Sequence, residues 1–156
     1  MERREFMHRS SCAAVAGLAA TAALAPASGR AQNAPGWNQA AFDTRTLNDA
    51  VKALGGAPPV ESRDVILQAP EMSENGGVVR IGAQSNLAGT TQLALLVEKN
   101  PAALAAVYNI PAGTEAAIST NLKMAQSSNV YAIARVGDRF FYAVREVKVT
   151  LGGCGG

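Results

Sequence analysis

Three residues dominate the chemistry open to this sequence: His8, Cys12 and Cys154. A histidine can serve as a general base, and two cysteines can pair or help hold a metal. Position removes most of those options. His8 and Cys12 sit near the start, within a segment that has the layout of an export signal. Cys154 stands apart, inside the run Gly152-Gly153-Cys154-Gly155-Gly156.

The leader begins Met1-Glu2-Arg3-Arg4-Glu5-Phe6-Met7-His8-Arg9. An Ala-rich stretch from Cys12 to Ala25 follows, then Pro26-Ala27-Ser28-Gly29-Arg30-Ala31. A charged start, a short apolar middle and small residues at a cleavage site define a signal peptide. The apolar run falls short of the ~20 residues that span a bilayer. Arg3-Arg4 with Phe6 resembles the twin-arginine signal, although Glu2 and His8 depart from its usual residues. The alternative is a general secretory signal. Cleavage is expected after Ala31, with Ala27 as second choice, leaving no membrane segment in the mature chain. Cys12 precedes the apolar run, so it is not a lipoprotein cysteine.

Removing residues 1–31 takes four of the 14 basic and two of the 12 acidic residues, leaving ten of each. The expected mature chain is therefore neutral, with no basic excess to mark a nucleic-acid binder. It keeps no histidine and one thiol. That excludes a Ser-His-Asp or Cys-His arrangement, a Cys/His zinc site and an intramolecular disulfide. Haem-attachment and phosphate-loop motifs are absent, so no catalytic residue, metal or cofactor is expected.

The remaining thiol is unusual in its setting. Glycine has no Cβ, so Gly152, Gly153, Gly155 and Gly156 leave Cys154 uncrowded. Such a run predicts a flexible arm, which five residues extend over at most about 17 Å. A thin arm of this kind could enter a narrow channel on another protein. Nothing in it activates the thiol; the nearest basic residue in sequence is Lys148. An ordinary thiol, with a reference pKa of about 8.5, is only ~3 % thiolate at pH 7. Cys154 therefore reads as a handle for other proteins rather than as a nucleophile with its own base. A free thiol in an oxidising compartment is a liability, which argues against a merely frayed end.

The elements that must position this arm are read from periodicity. Leu47, Ala50, Val51 and Leu54 form one helical stripe, with Asp43 or Thr44 as N-cap and Gly55-Gly56 as the stop. That helix is expected only to pack on the domain, after a flexible start over Asn33 to Trp37. Beyond Pro58-Pro59 the period changes to two. Strands are predicted at Val65–Leu67, Val78–Ala83, Thr91–Val97, Leu104–Ile110, Ala117–Ala125, Val130–Val136 and Arg139–Leu151. The parity of apolar residues switches at Arg145-Glu146, which suggests a bulge or bend. About seven short strands without crossover helices favour an antiparallel β-sandwich. Arg139, Arg145 and Lys148 could guide anionic substrates or enzymes, but read better as solvated strand positions.

The tail Gly152-Gly153-Cys154-Gly155-Gly156 closely resembles that of the SoxY family, the carrier subunits of the bacterial sulfur-oxidation (Sox) system. Val147–Leu151, Val97–Pro101, Pro111–Glu115 and Lys123–Asn129 are similar to that family too, as is the leader. The resemblance implies an immunoglobulin-like antiparallel β-sandwich, all-β apart from the short N-terminal helix. It implies a periplasmic heterodimer with a SoxZ-type subunit, and Cys154 as the covalent attachment site for sulfur. A c-type cytochrome complex would join thiosulfate to Cys154, a hydrolase would release sulfate, and a sulfane dehydrogenase would oxidise the remaining sulfur. The carrier itself would catalyse nothing. The chain then divides into an export signal (1–31), a helical segment (32–56), a sandwich domain (57–151) and the arm (152–156).

Three other readings compete. Cys154 could serve a thiol-dependent sulfurtransferase directly, against which stands the lack of an activating group. A ubiquitin-like carrier would bear sulfur on a terminal carboxylate, which the leader and the strand pattern disfavour. A structural module would use Cys154 in an intermolecular disulfide.

Overall fold

The structure is a computed structural model and describes residues 38–150. The leader, the start at 33–37 and the arm at 152–156 lie outside the described residues.

Two short helices open the fold. In α1 (Gln39–Phe42) the Asn38 Oδ1 caps the N-terminus by accepting from the Ala41 N–H at 3.1 Å. The Asn38 Nδ2 donates to the Ala53 carbonyl at 2.8 Å, tying α1 to the end of α2 (Leu47–Ala53). The N-cap of α2 is Thr46, not Asp43 or Thr44: its Oγ1 accepts from the Asp49 N–H at 3.1 Å. Thr44 instead donates its hydroxyl to the Ala41 carbonyl at 2.6 Å, closing α1. The α2 stop is as expected. Gly55 adopts φ +86°, and the Gly55 and Gly56 N–H groups donate to the Lys52 and Val51 carbonyls, a Schellman motif.

Nine strands follow among the described residues: β1 (Val60–Glu61), β2 (Val65–Gln68), β3 (Met72–Ser73), β4 (Val79–Ser85), β5 (Thr90–Val97), β6 (Leu104–Asn109), β7 (Ala117–Leu122), β8 (Ser128–Val136) and β9 (Arg139–Val149). The larger sheet runs β1-β9-β8-β5-β6, with β3 also on β9; the smaller runs β2-β4-β7. The expected β-sandwich is thus observed. The seven expected strands are present, three of them ending early: β6 at Asn109 rather than Ile110, β7 at Leu122 rather than Ala125, and β9 at Val149 rather than Leu151. The two others, β1 and β3, are two-residue pieces that pair in parallel with β9, so the large sheet is not wholly antiparallel.

Between the sheets lies a core that includes Val65, Leu67, Ile81, Leu93, Leu95, Val97, Val130, Ala132 and Val147. The other face of the large sheet is covered in part by the helices. There Ala50 and Val51 of α2 join Ala94, Leu96, Leu104, Ile133 and Phe140 in a second core. Burial on both faces explains why Leu93 to Val97 reads as a continuous apolar run rather than an alternating one.

The same layering corrects the reading of β9. Its register with β8 is uninterrupted from Val147 opposite Ser128 to Arg139 opposite Val136, so no bulge occurs at Arg145-Glu146. Phe140 and Tyr142 belong to the helix side, while Phe141, Ala143, Val147 and Val149 belong to the sandwich side. The apolar parity switches because the helices cover only the first half of the outer face. The register shifts of the large sheet lie in β5 instead, between Thr90 and Gln92 and between Leu95 and Leu96.

Candidate functional site

Cys154, Gly152, Gly153, Gly155 and Gly156 lie outside the described residues; the root segment from which they extend is described. That root is the end of β9. Val149 lies beyond the last β8–β9 rung, Ser128 opposite Val147. The Ser127 hydroxyl supplies the next one. Its Oγ accepts from the Val149 N–H at 2.9 Å and donates to the Val149 carbonyl at 3.3 Å. On the opposite edge, β3 and the residue before it hold the two neighbours of Val149: the Lys148 N–H donates to the Glu71 carbonyl at 3.0 Å and the Thr150 N–H to the Ser73 carbonyl at 3.1 Å.

A second layer fixes these anchors. The Met124 N–H donates to the Gly76 carbonyl at 2.7 Å. Gly76 is pressed so closely that a Cβ there would sit 2.5 Å from the Met124 oxygen and 2.8 Å from Val149 Cγ1. Asn100 bridges the β5–β6 turn to the segment after β7, donating to the Lys123 carbonyl at 2.7 Å and accepting from the Ala125 N–H at 3.0 Å. The buried Ser128 hydroxyl accepts from the Lys99 N–H at 3.0 Å, and Asn129 donates to the Glu98 carboxylate at 2.9 Å.

Three of the four internal motifs singled out in the sequence therefore converge at one end of the sandwich, where the chain leaves toward Cys154. These are Val97–Pro101, Lys123–Asn129 and Val147–Leu151, the last as far as Thr150. The fourth, Pro111–Glu115, forms a turn between β6 and β7, with the Thr114 N–H donating to the Pro111 carbonyl at 3.1 Å, and takes no part in the root. The anchoring roles of Ser127, Asn100 and Gly76 were not visible in sequence. Their only signal was turn chemistry, Asn100-Pro101, Ser127-Ser128-Asn129 and Asn75-Gly76-Gly77, which marks a turn without saying what it holds.

The cations of β9 are placed differently from one another. The Arg139 guanidinium stacks over the Phe141 ring at 4.9 Å. Arg145 donates to the Ala69 carbonyl at 3.2 Å, and Lys148 is exposed. On the outer face Tyr131 and Tyr142 lie 5.8 Å apart. Burial, then the Glu98 charge, raises the Tyr131 phenol above its ordinary value. Among the described residues no group of three or more His, Cys, Asp or Glu is placed to hold a metal, and no helix is long and apolar enough to cross a membrane.

The sequence profile of the family described as sulfur oxidation protein SoxY matches residues 50–154, a span that runs through the arm root to Cys154. The chain belongs to the SoxY family. Among solved structures, the sulfur carrier protein SoxY from Chlorobium limicola f thiosulfatophilum is 30 % identical, with a TM-score of 0.61. That match covers 67 % of this chain and 96 % of the SoxY chain. A lytic polysaccharide monooxygenase from Jonesia denitrificans is 13 % identical, with a TM-score of 0.35 over 60 % of this chain and 59 % of its own, too slight a likeness to use. No curated protein matches the chain. Membership of the SoxY family gives the chain a role in sulfur oxidation.

Proposed function

We propose that the chain is a covalent carrier of thiosulfate-derived sulfur, with Cys154 as the attachment site and Gly152, Gly153, Gly155 and Gly156 as the arm that presents it. The observation that carries this reading is the SoxY family match, which extends to Cys154, only four residues beyond the anchored Thr150. A carrier needs a fixed base and a reactive end that other proteins can reach. The double anchoring of Val149 and Thr150 supports the first requirement.

The chemistry is supplied by partners. The Cys154 thiol and thiosulfate lose one proton and two electrons to a c-type cytochrome, forming a new S–S bond in Cys–S–S–SO₃⁻. Water then attacks the sulfonate sulfur in a hydrolase, releasing sulfate and two protons and leaving the persulfide on Cys154. A sulfane dehydrogenase, where the host has one, oxidises the retained sulfur for a further hydrolysis. The chain supplies a thiol, a tether and a docking shape, and no catalytic group. It works in the periplasm after export, by the twin-arginine route, as a heterodimer with a SoxZ-type subunit.

The test is Cys154→Ser. It is expected to abolish thiosulfate oxidation by the reconstituted system while leaving the circular dichroism spectrum and partner binding unchanged, because the change is one small side chain for another and the described core is built from residues between Ala41 and Val147. Full activity of Cys154→Ser would refute the carrier reading. Thiosulfate turnover by the isolated chain would favour the sulfurtransferase instead.

A further inference from the structure

Among the described residues no helix covers the outer face of the small sheet, unlike that of the large one, and it carries an open trough of ≈ 780 Å³. Gly82 forms part of its floor, and Gln68, Ala69, Arg80, Ser119 and Arg145 border it. No acidic residue lines it among the described residues. Arg80 rises from β4, and Arg145 reaches in from β9 of the other sheet. Among the described residues neither guanidinium has a carboxylate partner, since Arg135–Asp138 is the ion pair formed there. Arg145 commits one N–H to the Ala69 carbonyl, and its other donors remain available. Two unpaired guanidinium forks with neutral donors at Gln68 and Ser119 suit an oxyanion.

The trough lies within reach of the chain beyond Thr150. Cys154 is four residues past Thr150, a span of at most about 14 Å. Arg145 is five strand residues back, about 17 Å, and the side chains cover the difference. Arg80 is four residues after Gly76, so it lies within about 13 Å of Gly76, which itself packs on Val149 at the root.

We propose that this trough docks residues 151–156 of the same chain when Cys154 bears an anionic sulfur–oxygen group, the terminal sulfonate lying between Arg80 and Arg145. The proposal rests on the carrier reading. A free thiol offers the arginines no charge, so docking follows loading. Exposed charge pairs are weak, each worth up to about fivefold in occupancy, so docked and free arms coexist and a partner enzyme can still capture the arm. The persulfide left by hydrolysis has no sulfonate oxygens for the two forks and docks less.

The test uses ¹⁵N-labelled protein treated with tetrathionate. The Cys154 thiolate attacks a sulfane sulfur, forming Cys–S–S–SO₃⁻ and expelling thiosulfate with the bonding electron pair. Intact mass verifies the adduct. Loading is expected to shift the Gly82 and Ser119 amides and the Arg80 and Arg145 Nε resonances. The shifts are expected to shrink at least about threefold in Arg80→Gln/Arg145→Gln and to fade in ~0.5 M salt. Shifts confined to the arm and its root, or unchanged in the double variant, would overturn the docking site alone. Equal shifts from millimolar free thiosulfate added to Cys154→Ser would make it a free-anion site and overturn the arm as its occupant. Failure of any adduct to form on Cys154 would overturn the carrier reading and this proposal with it.

Discussion

Replacing Ser127 by Ala tests how the carrier arm is held. The Ser127 hydroxyl extends the β8–β9 ladder by one rung, through bonds of 2.9 and 3.3 Å to the Val149 N–H and carbonyl. Alanine removes both and leaves a part-buried N–H unpaired. A lost neutral hydrogen bond with an orphaned donor costs about 1–2 kcal/mol. Since 1.4 kcal/mol is tenfold, hydrogen exchange at the Val149 amide is expected to quicken about 5- to 30-fold. The loss stays local, because Thr150 remains bonded to Ser73 and Met124 to Gly76. Global Tm is expected to fall by no more than about 4–8 °C. Ser127→Thr keeps the hydroxyl and is expected to exchange at nearly the wild-type rate. Unchanged exchange at Val149 in Ser127→Ala would refute the ladder role. Equal fraying in the threonine variant would mean that packing, not the hydroxyl, holds the strand end.

Gly76→Ala forces a Cβ to within 2.5 Å of the Met124 backbone oxygen and is expected to destabilise by about 1–3 kcal/mol in urea titration, whereas Gly77→Ala meets only the movable Asn75 side chain and should cost less than about 0.5 kcal/mol. Phe140→Ala empties the core between helices and sheet, where Phe140 is 2 % exposed, and is expected to cost about 3–5 kcal/mol. The Tyr131 phenol is raised above 10.0 in the folded chain, so below that pH both states keep the proton and stability is unaffected. Above about pH 10 the unfolded chain ionises first, and stability falls as pH rises. Tyr131→Phe is expected to remove that part of the alkaline loss, measured as Tm against pH.

The strands that carry a regular apolar period were legible in sequence. β4, β6 and β8 were readable because six to nine residues of pattern outweigh local noise, and β2 and β5 because their apolar runs end at Ala69-Pro70 and Asn100-Pro101. β1 and β3 were not legible. Val60-Glu61 and Met72-Ser73 hold too few residues to show a period, and they are strands only because β9 offers them an edge. α1 escaped for the same reason: four residues show no stripe, and the bond from Asn38 to Ala53 that stabilises it spans fifteen positions. The bulge expected in β9 arose from assuming one buried face, when the helices bury part of the second. The site divides in the same way. A thiol among four glycines is visible in sequence because its chemistry is local. Its anchorage is not, since Ser127 and Val149 are twenty-two residues apart and meet only in the folded sandwich.

Weak docking on Arg80 and Arg145 would sit well with a firmly held root. The first would keep a charged adduct from wandering while the second fixes the point from which it is offered. Both depend on one claim, that sulfur rides on Cys154. Intact-mass and peptide-mapping spectrometry of the chain purified from thiosulfate-oxidising cells tests it most directly. Reductant-labile thiosulfonate and persulfide adducts are expected on the peptide containing Cys154. A Cys154 that stays unmodified throughout active thiosulfate oxidation would contradict it.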